Sequence, residues 1–254
     1  MECGEKNHPL LVFIHGGGVS GWMWKNQLEH FKDYHCLAVD LPEHGNSDGE
    51  FSIAGSAEQI NQLIRQKALG KRVHVIGFSL GAQVLIEMLA RNPGVVDAAV
   101  INSALVRPVK YAVNMVGPAA RLSLPLAKSR KFARMQAKAM YIDEKLFEIY
   151  YQESRQIKAE TFVRVMRENL AYELPGNLSQ VTARILVMVG EKEKKMMKRS
   201  AADIVNGNRN ATGMIVPGIG HGISLANPAL FNELVRKWLE EGLLPPEMKI
   251  IHQK

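Results

Sequence analysis

The stretch VHVIGFSLGAQVLIEML at residues 73–89 constrains the fold more than any other part of the chain. Its opening VHVIGF is rich in β-branched residues and reads as a buried strand. From Gly81 onward, Ala82, Leu85, Ile86 and Leu89 recur at helical spacing, which predicts a helix with an apolar face. Between the two lies Gly77-Phe78-Ser79-Leu80-Gly81, a G-x-S-x-G motif. A strand that turns straight into a helix holds the middle residue in a strained conformation, and flanking glycines let strand and helix approach closely. The Ser79 hydroxyl is then exposed at the carboxyl end of a sheet, beside a helix N-terminus that favours negative charge. The plainer alternative is a serine that caps the helix. The strand before it and the helix after it favour a nucleophile.

The flanking chain repeats the strand-then-helix rhythm. PLLVFIH at 9–15 is a continuous apolar run, as in a strand buried on both faces, and HGGG at 15–18 follows it. A short helix at 22–31, a strand at 35–41 and a turn-rich loop at 42–49 come next. A helix spans 51–69, with Ser52 as N-cap and Gly70 as C-cap. VVDAAVIN at 95–102 is another strand. From 108 to about 176 the rhythm stops, and apolar residues fall at helical spacing without a strand. It resumes with strands at 183–189 and 212–217 and helices at 197–205 and 224–241. This pattern predicts an α/β fold: a mainly parallel sheet of about six strands with helices on both faces. Residues 1–105 and 179–254 form the core, and 106–178 a helical cap over the sheet's carboxyl edge, where ligands bind in such sheets.

A chain of 254 residues, 46% of them hydrophobic, is one domain or a domain with an insertion, and can bury a full core. Cys3 and Cys36 make no disulfide framework, MECGEKNHP has no apolar signal region, and no apolar run reaches membrane-spanning length. These features predict a cytoplasmic protein with no stable membrane insertion. The net charge of +7 is concentrated in 106–178, which holds 13 Lys+Arg against 7 Asp+Glu. Arg121, Lys128, Arg130, Lys131, Arg134 and Lys138 read first as a solvated helix face, and otherwise as a means to steer an anionic substrate or touch an anionic membrane. No aromatic pattern or motif supports nucleic-acid binding.

A serine nucleophile needs a base, and the base an orienting acid. Of eight histidines, only His221 follows a late strand in a Gly-rich loop. His15 reads as structural, His44 as structural or pocket-lining, and His74 lies within the core strand. HGGG at 15–18, Trp24, DLPEHGNSD at 40–48, GFSLG at 77–81, LVMVGEKE at 186–193 and PGIGHGISLANP at 217–228 together resemble the α/β-hydrolase superfamily in order and spacing. The resemblance covers nearly the whole chain, as a compact member that starts at its first parallel strand without an N-terminal antiparallel hairpin.

The resemblance implies Ser79 as nucleophile, His221 as general base, and the N–H groups of Leu80 and Gly17 as oxyanion hole, with Gly18 the alternative to Gly17. Glu193 stands where the family usually has Asp. It is the implied acid, against the plainer reading of a solvated loop among Lys192, Lys194 and Lys195. The family's other acid site follows the strand ending at Asn102, where no carboxylate stands; Glu191 and Asp203 are weaker candidates. The implied activity is that of a serine hydrolase cleaving a small ester, lactone or thioester through an acyl-enzyme, with no cofactor and no metal. Ser rather than Asp at the elbow argues against epoxide hydrolase or haloalkane dehalogenase chemistry. Two other readings stay open: a lyase or cofactor-free oxygenase on the same scaffold, and a ligand-sensing protein with weak hydrolase activity. Met115, Leu122, Leu124, Leu126, Phe132, Met135, Met140, Tyr141, Phe147 and Tyr150 supply apolar material for a pocket, though most are expected to pack helices together.

Overall fold

Continuous apolar runs fix the centre of the sheet. β2 (Leu10–Ile14), β4 (Val73–Phe78) and β5 (Ala98–Asn102) are buried along their whole length, as strands covered on both faces must be. With β3 (His35–Val39), β6 (Arg184–Gly190) and β7 (Ala211–Val216) they form six parallel strands. Two further strands, β1 (Glu2–Gly4) and β8 (Lys249–Ile251), add antiparallel edges, and the order is β1-β3-β2-β4-β5-β6-β7-β8. The structure, a computed structural model, describes residues 1–246 and 248–253; the side chains of 121–125 and 127 lie outside that description, Arg121, Leu122 and Leu124 among them.

The parallel sheet matches the sequence-based expectation, and the edges correct it. The chain does not open at its first parallel strand, because β1 precedes it and runs antiparallel to β3. Strands of three residues are too short to show a period. Pairing of β1 with β3 sets Cys3 opposite Cys36, both free thiols.

Alternation along β2 divides the core in two. Leu10, Val12 and Ile14 face a layer built with α2 (Ile53–Ala68), α3 (Leu80–Arg91) and α8 (Lys195–Gly207). Leu11 and Phe13 face Trp24 and Phe231, in the layer of α1 (Lys25–His30) and α10 (Pro228–Glu241). Ser52 caps α2, its side chain accepting from the Gly55 N–H. The left-handed end of α2 falls at Leu69, one residue before the expected Gly70. The closing helix is also broken: α9 (Ile223–Ala226) stops at Asn227, which caps α10 with Pro228 in its first turn. Proline lacks the N–H a continuous helix would need and disfavours a helical residue before it.

Between β5 and β6 the chain inserts four helices: α4 (Lys110–Ala127), α5 (Arg130–Ala139), α6 (Glu144–Gln156) and α7 (Ala159–Ala171). Polar contacts tie them to the core loops. Glu153 of α6 accepts from Ser20 Oγ at 2.8 Å and from the Trp22 indole N–H at 2.7 Å. Thr161 and Arg164 of α7 donate to Glu43 at 2.7 and 3.1 Å. The Asn169 side-chain amide of α7 donates to Gln83 Oε1 of α3 at 3.0 Å. Among the described residues no helix is long and apolar enough to cross a membrane.

Candidate active site

Ser79 joins β4 to α3 with φ 53° and ψ −112°, a strained conformation for a residue with a side chain. Its N–H donates to the Asn102 carbonyl at 2.8 Å. The tight turn requires the two glycines. A Cβ at Gly77 would meet the Gly81 carbonyl oxygen at 2.5 Å, and one at Gly81 would collide with the carbonyls of Ile14 and His15. The Ser79 side chain makes no capping bond to α3, so the cap alternative fails. Its Oγ lies instead 3.0 Å from His221 Nε2.

His221 is in the loop after β7, next to Gly222, whose left-handed φ of 99° bends the chain into α9. Its ring packs 4.9 Å from that of Phe78. Its Nδ1 is 2.9 Å from Glu193 Oε2. An ionised carboxylate only accepts, so Nδ1 carries the proton and Nε2 is free to accept from the serine hydroxyl. The His221 side chain is 43% exposed and that of Glu193 2%. Lys192, Lys194 and Lys195 are all exposed, so the solvated-loop reading describes the lysines and not the carboxylate between them.

The other oxygen of Glu193 is also held. Oε1 accepts from the Gly190 N–H at 2.9 Å and from Ser103 Oγ at 2.7 Å. Burial opposes the charge of Glu193, but His221, Gly190 and Ser103 together outweigh it and leave the carboxyl below its ordinary range. Ser103 is buried, with φ 60°. Sequence reasoning missed it. The available signal was its place directly after Asn102 at the carboxyl end of β5. Glu191 accepts instead from the Gly218 N–H at 2.9 Å, and Asp203 pairs with Arg107 on the surface.

Gly17, Gly18, Ser79 and Leu80 line one cleft of about 400 Å³, walled by Phe132, Met140, Tyr150, Phe162, Val165 and Met166. The Leu80 N–H opens α3 and has no intrahelical acceptor. Glu43 is the one charged side chain among the described lining residues. A second, polar cleft of about 490 Å³ shares Gly18, Glu43, His44, Ile157 and Thr161 with the first. Phe147 is buried, whereas Met115, Leu126 and Met135 point to solvent. Tyr141, grouped by sequence with the apolar lining, accepts through its hydroxyl from the Gly220 N–H at 3.1 Å and so touches the His221 loop. His15 is fully buried: Nδ1 donates to the Gly16 carbonyl at 2.8 Å and Nε2 accepts from the Leu41 N–H at 2.9 Å.

The chain matches the alpha/beta hydrolase family over residues 11–234, and it belongs to that family. It is 24% identical over 251 residues to an (E)-2-((N-methylformamido)methylene)succinate hydrolase of Acinetobacter baylyi, covering 94% of this chain and 93% of that one. It is 31% identical over 137 residues to an esterase of Mycobacterium tuberculosis, covering 51% of this chain and 44% of the relative. The match to a fungal AB hydrolase superfamily protein of Gibberella zeae likewise spans only 34% of that relative. Among solved structures, an esterase from Exiguobacterium antarcticum superposes with a TM-score of 0.79 at 17% identity, covering 95% of this chain and 94% of that one. MenH from S. aureus superposes with a TM-score of 0.76 at 16% identity, covering 95% and 97%. At such identity the structural likeness shows the fold.

Proposed function

We propose that the protein is a cytoplasmic serine hydrolase that cleaves uncharged ester-type substrates, a carboxylic ester, lactone or thioester, through Ser79, His221 and Glu193. The observation that carries this reading is the unbroken line from buried Glu193 through His221 to Ser79, at 2.9 and 3.0 Å. His221 Nε2 takes the hydroxyl proton as Ser79 Oγ bonds to the substrate carbonyl carbon. The N–H groups of Leu80 and Gly17, with Gly18 as alternative to the latter, receive the oxyanion. Collapse breaks the bond to the leaving alcohol or thiol, which takes the proton from His221. Water attacks the acyl-enzyme by the same route, releasing the acid and restoring Ser79. Glu193 stays ionised and holds the Nδ1 proton throughout.

The cleft supports an uncharged acyl group. Its walls are mainly apolar, and the one carboxylate among its described lining residues, Glu43, is already paired with Arg164, so the described lining offers a substrate anion no cation to meet. That separates this chain from the relative named for a succinate, while the relative named an esterase agrees with it. Residues 106–178 act as the cap that supplies most of those walls.

Labelling with a fluorophosphonate, followed by peptide mapping, tests the reading. Rapid modification of Ser79 that is lost in His221→Ala, together with turnover of short p-nitrophenyl acyl esters, is the expected result. A folded protein that neither labels nor turns over esters would overturn it. Labelling without ester turnover would favour the lyase reading, which a relative named 2-succinyl-6-hydroxy-2,4-cyclohexadiene-1-carboxylate synthase also suggests.

A further inference from the structure

From residue 104 to residue 142 the chain carries eight lysines and arginines and no aspartate or glutamate. Ion pairs with other segments occupy three of them: Arg107 with Asp203, Arg130 with Glu148 and Arg134 with Glu144. Lys110, Lys128, Lys131 and Lys138 are exposed and, among the described residues, have no ion-pair partner.

The same two helices, α4 and α5, expose large apolar side chains. Tyr111, Met115 and Leu126 on α4 are 79%, 60% and 52% exposed, and Met135 on α5 is 60% exposed. On α5, Lys131, Met135 and Lys138 fall at i, i+4 and i+7, away from the buried Ala133 and Ala137. The opposite side of α5 presents Phe132 and Gln136 to the Ser79 cleft. One short helix thus walls the cleft inside and carries cations and a methionine outside.

Unpaired cations interleaved with exposed apolar side chains, on helices that carry no acid of their own, suit the interface of an anionic bilayer. Ammonium groups meet lipid phosphates, while Tyr, Met and Leu enter the acyl boundary. A second copy on this face would bring the unpaired Lys110, Lys128, Lys131 and Lys138 of two chains together, which costs repulsion. We propose that α4 and α5 dock the protein peripherally on anionic lipid. The docking stands independently of the Ser79 chemistry, and it would place the cleft where an apolar acyl ester partitions.

Co-sedimentation with phosphatidylcholine vesicles, with and without phosphatidylglycerol, tests this. Binding to the anionic vesicles alone is expected, weakening as salt is raised. Each cation at the surface is worth roughly fivefold in partition, so Lys128→Glu/Lys131→Glu should lower it by at least about 25-fold. Met115→Glu should lower it too, since it puts a charge into the acyl boundary. Hydrolysis of a soluble short ester should be unchanged in the lysine variant, and Ser79→Ala should still bind vesicles, so failures of docking and of chemistry are distinguishable. Four results would each overturn the proposal: no vesicle binding, equal binding to neutral vesicles, binding that ignores both variants, or capture by an acidic polypeptide such as polyglutamate without vesicle binding.

Discussion

Glu193 carries one methylene more than the aspartate usual at its place, and the protein accommodates the extra length by holding both ends of the carboxylate. Oε2 faces His221, while Ser103 and Gly190 fix Oε1. Under the proposed mechanism, Glu193→Gln keeps the shape and removes the charge. Turnover of a p-nitrophenyl ester should fall by roughly four orders of magnitude with the circular dichroism spectrum unchanged; wild-type turnover would exclude Glu193 as the acid. Ser103→Ala removes one of the bonds that lower the Glu193 pKa. The carboxyl then rises toward its ordinary range, and the acid limb of kcat/KM should move to higher pH. Ser103→Gly, which also relieves the φ of 60°, should move that limb equally. An unmoved limb in both variants would reduce Ser103 to a packing role.

At the scale of elements, the elbow was legible, and so were the helices of the insertion, but not the contacts that seat them. A change of hydrophobic period from strand to helix within a few residues, with glycine on both sides of Ser79, leaves one geometry. Gly81→Ala would press a methyl against the carbonyls of Ile14 and His15. It should cost roughly 1–3 kcal/mol, read as a lowered urea midpoint. The insertion announces its helices by spacing, but its place is set by contacts more than a hundred residues apart in sequence, such as Glu153 with Ser20 and Trp22. Periodicity holds no information about such pairs. The same limit hid Ser103, whose partner is 90 residues away. It also concealed Tyr141, which looks apolar in sequence yet uses its hydroxyl on Gly220. Glu153→Ala should lower stability by roughly 1–3 kcal/mol in a denaturant titration. The KM for a longer acyl ester should change more than for a short one, because α6 supplies part of the cleft wall.

Over the whole molecule, buried histidines add to the response to acid. Burial, reinforced by the neighbouring His44, pushes His15 from 6.5 down to about 3. Its folded form therefore refuses a proton that the unfolded chain accepts. Stability contributed by neutral His15 is complete above pH 6.5 and is lost as pH falls toward about 3, at up to about 1.4 kcal/mol per pH unit. Glu193, whose folded pKa is lowered, acts in the same direction: its contribution is present above the ordinary carboxylate range and is lost as pH falls through its folded value. Urea midpoints measured from neutral pH downward should fall steadily, and His15→Gln should flatten that slope even if it is less stable at neutral pH. A slope unchanged by the substitution would assign the acid sensitivity to other groups.

The bond from the Trp22 indole to Glu153 makes an optical gauge of the joint between insertion and sheet. Trp24 is sealed in the core and Trp238, on α10 in the same layer, is 5% exposed, so both contribute a steady background of fluorescence. Only the emission of Trp22 depends on a carboxylate carried by α6. A shift in emission wavelength on adding an acyl ligand would therefore time the movement of the insertion without any attached dye, and the Glu153→Gln protein supplies the baseline for a joint already loosened.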